Sequence, residues 1–413
     1  MNRKAVQEMQ LPERTGASNE ALEMTETMNQ LERVWRDVIG TNMGKLGFPF
    51  DPSTNFFSVG RNSLLIIRLQ ARIRQVFRVV VPLVKLMNDN TLGEMARSIE
   101  ESTSVEIIDW EHETSPSLIP NFLEDVPPKT EAAKKTILVT GATGFVGKYV
   151  LPQLADRSDI EKIYCVAVRE KPRQSEFLTA SNIYYHSGDL AIPLLGLSEE
   201  MFRTLASEVD VIVHMGAVLS FWDNYHVLRP SNVESMKELV KLACPHHISI
   251  HYISTVGVLP RDAELSTLQA GSTATNVPSS ESGNCYIASK WAGERILERS
   301  AEMHGIPSWI YRFLPASSMQ ILQKEELMDT FIRLVNTLGS TPDMGVWKGR
   351  VDLVPAEQVG NWLAASVAET ITANTADTNL FHYESSISFH TDELSAHIAH
   401  LQKTERILAK RHS

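Results

Sequence analysis

The stretch TILVTGATGFVGKYVL, residues 136–151, decides the fold. TILVT is a short apolar, β-branched run, the composition of a strand buried on both faces. Gly141, Gly144 and Gly147 follow at once, then helical text carrying Val150 and Leu154. The first glycine lets the turn close, the second lets backbone approach a pyrophosphate, and the third lets the helix pack closely on the strand. The helix N-terminus, with its unpaired N–H groups, then faces the turn.

Working outward, IYCVAV (163–168), NIYYHSG (182–188), VDVIVHMG (209–216), SIHYIST (249–255) and SWIYRF (308–313) repeat the buried-strand pattern, separated by helical or loop text. Strands alternating with helices predict an α/β domain over 134–413, a Rossmann-type doubly wound parallel sheet. The spacing GxxGxxG is the short-chain dehydrogenase variant of the dinucleotide fingerprint.

The text before residue 134 differs. Residues 1–25 are polar and aperiodic and are expected to form a disordered leader. Leu31, Val34, Trp35 and Val38 fall on one helix face. A Gly-, Pro- and Asn-rich loop then leads to FFSVGRNSL, residues 56–64, and a second amphipathic stretch follows through Leu65, Ile66, Leu69, Ile73, Val76 and Phe77. Ser63 is placed to cap that stretch. Thr91 and Glu94 form a capping box before Leu92, Met95 and Ile99. A small helical bundle over 26–103 is predicted. Residues 104–133 are acidic and carry Pro116, Pro120, Pro127 and Pro128, which reads as a proline-stiffened linker free to swing.

Composition excludes several classes. The net charge is −11 over 413 residues, which argues against nucleic-acid and anionic-membrane partners. No apolar run reaches the ~18 residues of a membrane span, and no signal-peptide core opens the chain, so a cytoplasmic protein is expected. Cys165, Cys244 and Cys285 are too few and too scattered for a disulfide framework or a metal site.

Tyr286 and Lys290, in YIASK, share a helix face four residues apart. A lysine ammonium lowers the phenol's pKa, and the phenol then gives its proton to an oxygen that gains charge as hydride arrives. Thr255, in the loop after SIHYIS, offers a hydroxyl to the same oxygen. Along the glycine turn, Gly141, Thr143, Gly144, Phe145, Val146 and Gly147 are cofactor-binding candidates. Arg169 ends the second strand where an NAD site wants a carboxylate, so NADPH is favoured through its 2′-phosphate. Asp189 and Leu190 after the third strand, and Gly216 and Ala217 after the fourth, are expected along the cofactor, with Tyr286 and Lys290 at its nicotinamide end.

Together, FFSVGRNSLLIIRLQ, IIDWEHET, ILVTGATGFVGKYVL, HSGDLAIPLLGLSEE, HMGAVLSFWDNYHVLRPSNV, HYISTVGV and YIASKWAGERILER resemble the carrier–reductase end of fungal polyketide–nonribosomal peptide hybrid synthases. The resemblance runs from about residue 27 to 400. It implies 4′-phosphopantetheine on Ser63, installed by a phosphopantetheinyl transferase, and a polyketidyl-aminoacyl thioester delivered by upstream synthase modules in cis or in trans. The second domain is then an extended short-chain dehydrogenase with Thr255, Tyr286 and Lys290 as its triad, releasing the chain as an aldehyde or alcohol with NADPH. Redox-neutral Dieckmann cyclisation to a tetramic acid and a non-catalytic docking module are the alternatives. This sequence departs from the family's pattern at Arg61, Met215 and Val218-Leu219. The family also continues some tens of residues past ILAKRHS, so a shortened substrate subdomain is expected.

Overall fold

The computed structural model describes residues 23–40, 50–60, 65–102, 108–116, 119–129, 133–169, 180–220, 223–260, 271–278, 284–317, 337, 349–370, 378–383, 387–390 and 393. It divides into two units, Met1–Glu106 and Ile107–Ser413.

The first unit is built on helix α1 (Glu26–Ile39), whose Met28, Leu31, Val34, Trp35 and Val38 are buried on one face. Thr25 caps it by accepting from the Met28 amide. The short α2 (Phe56–Gly60) and α3 (Leu65–Phe77) follow, and α3 buries Ile66, Leu69 and Ile73. Helix α4 (Leu83–Asn88) precedes α5 (Leu92–Glu100), where Thr91 and Glu94 make the expected capping box. Trp35 centres the core, with Phe50 and Phe56 edge-on at 5.9 and 5.0 Å. Ser63 lies between α2 and α3, outside the described residues.

The second unit starts inside the stretch expected to be a free linker. Helix α6 (Trp110–Glu113) opens on Asp109, which accepts from the amides of Glu111 and His112. The Trp110 ring packs edge-on against Tyr225 and Trp291, at 5.2 and 5.4 Å. Glu113 is buried, accepting from the Tyr225 hydroxyl (2.9 Å) and from both Nε and Nη2 of Arg229 (2.7 and 2.9 Å). Leu123 is 1% exposed in the core of the sheet domain. Among its described residues, the acidic, proline-rich stretch is anchored by Trp110, Glu113 and Leu123, so it does not swing freely from end to end.

Seven parallel strands form the main sheet in the order β3-β2-β1-β4-β5-β6-β9. They are β1 (Lys135–Thr140), β2 (Ile160–Val168), β3 (Ile183–Ser187), β4 (Val211–His214), β5 (Ser249–Thr255), β6 (Ser308–Phe313) and β9 (Thr378–His382). On one face lie α8 (Glu199–Glu208), α9 (Tyr225–Arg229), α10 (Ser235–Ala243) and α11 (Cys285–His304). The other face is covered by α7 (Gly147–Ala155) and α12 (Ala356–Thr370). These two cross closely, because a Cβ on Gly360 would stand 2.6 Å from the Tyr149 carbonyl oxygen. A small second sheet joins β7 (Ala316–Ser317), β8 (Arg350–Pro355) and β10 (Ile387–His390). From β1 the chain winds outward through β2 and β3, then returns to β4 on the opposite side of β1. That reversal opens a crevice at the carboxyl ends of β1 and β4, the place where sheets of this kind bind ligands.

Candidate active site

The turn after β1 is shaped by steric necessity. Gly141 has φ 71°, and a Cβ there would lie 2.5 Å from the Gly216 amide nitrogen. At Gly147 a Cβ would meet the Gly141 and Ala142 carbonyl oxygens at 2.3 and 2.6 Å. Thr140 Oγ1 accepts from the Gly216 amide at 3.2 Å and shares a 2.6 Å hydrogen bond with His214 Nδ1. A Cβ on Gly216 would strike Leu190 Cδ1 at 2.7 Å. The structure thus packs Gly141, Gly216 and Leu190 together so closely that only bare backbone fits. Gly144 and Ala217 are exposed and Thr143 is half-buried. The Phe145 side chain points into the fold, edge-on to Tyr149 at 5.7 Å, and Val146 joins the core. Such a bare glycine turn, at the start of α7, suits the pyrophosphate of a dinucleotide, approached by backbone rather than side chains.

Arg169 follows an irregular strand end. The β2–β3 register shifts between Cys165 and Val168, and Ala167 takes φ 56°. A left-handed conformation costs a non-glycine residue roughly 1–2 kcal/mol. Beyond this bulge, Arg169 Nε lies 2.9 Å from Asp189 Oδ2, and Nη2 donates to Oδ1 at 3.3 Å. Asp189 Oδ1 also accepts from the Ala191 amide at 2.9 Å. The two residues expected at separate parts of the nucleotide are one ion pair, with Arg169 59% exposed.

Thr255 ends β5, where its Oγ1 accepts from the Gly257 amide at 3.2 Å. Asn284 caps α11 by accepting from the Ile287 amide, which sets Tyr286 and Lys290 on the first turns. Lys290 is 2% exposed and donates to the Ile253 carbonyl at 2.8 Å, two residues before Thr255. Its Nζ stands 4.7 Å from the Tyr252 ring centroid and 5.9 Å from that of Tyr286. Burial pulls the ammonium down to about 7, against the opposing charge of Glu294.

Two supports escape sequence reasoning. Asn232 sits in a single π-turn, Pro230–Glu234, between α9 and α10. Its Oδ1 accepts from the Val218 amide at 2.7 Å, and its Nδ2 donates to the Val218 carbonyl and Ser289 Oγ, both at 3.0 Å. Ser289 Oγ in turn donates to the Tyr286 carbonyl at 2.8 Å, so Asn232 staples the loop after β4 to α11. The only sequence signal was a polar PSNV inside otherwise helical text. The second support is Glu294, one turn beyond Lys290, fully buried with Arg312 of β6 at 2.6 Å. Glu294 also accepts from Ser254 Oγ and from Thr273 Oγ1, at 2.5 and 3.2 Å. Arg312 further donates to the Gly271 carbonyl at 2.9 Å.

Residues 139–363 match the family model described as male sterility protein, an NAD-binding type, and residues 29–99 match that of the phosphopantetheine attachment site. The chain belongs to the male sterility protein family of NAD-binding domains. A relative, the hybrid PKS-NRPS synthetase thnA of Trichoderma harzianum, is 45% identical over 374 residues, 89% of this chain and 9% of that protein. The chain thus spans about a tenth of the length of the curated relatives it matches. Among solved structures, the terminal R domain from the myxalamid PKS-NRPS pathway is 27% identical with a TM-score of 0.55, covering 69% of this chain and 75% of that one. A thiolation-reductase di-domain from an archaeal non-ribosomal peptide synthetase, 18% identical, covers 91% of this chain and 82% of its own at a TM-score of 0.53, a likeness of fold. The male sterility family domain, preceded by a carrier unit, therefore accounts for the fold and for a nicotinamide cofactor. Among the described residues, no helix is long and apolar enough to cross a membrane.

Proposed function

We propose that this chain is a carrier-bound thioester reductase of secondary metabolism, releasing a polyketide or peptide intermediate as an aldehyde with NADPH. One observation carries the reading. A phosphopantetheine attachment unit precedes a site in which a buried lysine stands 5.9 Å from the ring of a tyrosine on the same helix. Ser63 would carry the arm, loaded by a phosphopantetheinyl transferase and supplied by upstream synthase modules.

Bound along the glycine turn, the reduced cofactor would supply the hydride from its nicotinamide. Gly141, Gly144 and Gly147 offer backbone to its pyrophosphate, and Arg169, oriented by Asp189, offers its guanidinium to the 2′-phosphate. Tyr286 donates its proton to the thioester oxygen as charge develops there, and the Lys290 ammonium stabilises the phenolate left behind. Thr255 offers a second hydroxyl to the same oxygen. Breakdown of the reduced thioester frees the pantetheine thiol and the aldehyde.

The test is NADPH consumption with the acyl-pantetheine-loaded chain, read at the nicotinamide band alongside product analysis. One aldehyde per NADPH consumed is expected. Product release without NADPH consumption would overturn the reading in favour of Dieckmann cyclisation, and no release at all would favour a docking module. Ser63→Ala is expected to abolish the mass increase on incubation with coenzyme A and a transferase.

A further inference from the structure

Lys290 holds its charge where charge is hardest to keep. From the sheet it is faced by Tyr252 and His214, and from its own helix by Tyr286 and Glu294. Glu294 is committed to Arg312, Ser254 and Thr273, and the Ile253 carbonyl supplies one hydrogen bond. Tyr252 is committed to nothing polar. It is 1% exposed, and its hydroxyl is buried without a hydrogen-bond partner. Burying an unsatisfied hydroxyl is unfavourable, and a phenylalanine would fill the core without that penalty. What the ring offers Lys290 is its negative face.

Two neighbours keep that ring in place. Gly293, three residues beyond Lys290 inside α11, leaves a notch: a Cβ there would stand 2.6 Å from Tyr252 Oη and 3.0 Å from Cζ. Glycine weakens a helix interior, so its use here answers to the ring. His214 stacks on Tyr252 at 5.4 Å with the planes 12° apart, and it is tied by Nδ1 to Thr140 beside the glycine turn. Thr140, His214, Tyr252 and Lys290 thus form a buried column from beside the glycine turn to the lysine.

We propose that Tyr252 is a positioning residue that holds the Lys290 ammonium against its ring face, with Gly293 as the notch that admits the ring and His214 as its backing. The proposal rests on the reading of Lys290 as the partner of Tyr286.

The charge on Lys290 can be followed directly in the unliganded chain by ¹³Cε-lysine NMR, its signal assigned by its loss in Lys290→Ala. Removing the ring in Tyr252→Leu is expected to lower the Lys290 pKa by about 0.4–1.5 pH units, the range a cation–π contact converts to. Gly293→Ala, which pushes the ring aside, should shift it the same way. Tyr252→Phe keeps the ring and should leave it unmoved. Adding Tyr252→Phe to Gly293→Ala removes the nearest clashing atom and should recover part of the shift. The alkaline limb of the NADPH-dependent rate should move to lower pH in the same two variants, since a neutral lysine no longer assists Tyr286. An unchanged Lys290 pKa in both Tyr252→Leu and Gly293→Ala overturns the proposal, as does an equal shift in Tyr252→Phe. Should Lys290→Ala instead keep the full reductive rate, the reading of the site fails, an outcome separate from any shift in the titration.

Discussion

The two units treat polar groups in opposite ways. Among the described residues, the carrier unit buries one polar side chain, Ser98, whose hydroxyl donates a hydrogen bond to Asp89 at 2.6 Å. The reductase unit buries Lys290, Glu294, Arg312, His214 and His251, each at 2% exposure or less. A carrier has only to present a serine on a stable bundle, and an apolar core around Trp35 does that. A reductase must keep a proton donor and a cation away from water, and ionised groups survive there only when each has a partner. Chemistry, rather than size, divides the two cores.

The largest effect expected from breaking this contrast is on rate. Tyr286→Phe keeps the ring and deletes the proton donor, so aldehyde formation should fall by ~10²–10⁴-fold while NADPH still binds. Single-turnover kinetics with cofactor fluorescence check both halves, and a wild-type rate would remove the phenol from the mechanism.

Next in size is the ion pair. Glu294→Ala leaves Arg312 buried without its partner and should cost the reductase unit about 3–5 kcal/mol. Denaturant unfolding followed separately for each unit is the measurement. A shift in the carrier transition, or none in the reductase transition, would contradict the division drawn here.

Acid sharpens the same comparison. Burial pushes His214 and His251 down to about 3, well below the ordinary 6.5. Their contribution is fully present above pH 6.5, and it is lost as pH falls from there toward 3, because only the unfolded chain takes up the protons. By pH 5 the reductase should have lost about 2 kcal/mol for each histidine. Residues 26–103 contain no histidine, so the carrier escapes this loss. Unfolding midpoints of both units at pH 7 and pH 5 decide it.

The smallest effect lies at the exposed rim. Arg169→Ala should weaken NADPH binding by roughly ten- to a hundredfold and leave NADH little changed. Equal losses for both cofactors, measured by fluorescence titration, would make the Arg169–Asp189 pair structural.

Local patterns made much of this legible. Five strands announced themselves as short apolar runs, whereas β3, legible as a strand and expected to be buried, is a half-exposed edge. The Thr91–Glu94 box showed by its spacing and the Tyr286–Lys290 pair by a single helical turn. The seventh strand, β9, did not, because TNLFH is an edge strand with no continuous apolar run. Glu294 and Arg312 are 18 residues apart on a helix and a strand, and nothing in either segment names the other. Tyr252 and Gly293 meet only through the packing of β5 against α11. Composition misled between 104 and 133, where acids and prolines outnumber the few side chains that anchor the stretch.

That anchoring changes the arithmetic of delivery. The carrier is described to Ser102 and the docked segment from Ile108, so five residues, 103–107, join them. Six backbone steps span at most ~20 Å when fully extended. For a flexible tether, local concentration rises as the inverse three-halves power of length once the span is met. On that relation, a free stretch of five residues in place of thirty would raise the concentration of a tethered thioester by roughly tenfold. Trp110, packed on Trp291 beside Lys290, and Glu113, tied to Tyr225 and Arg229, thereby set where the docked segment begins.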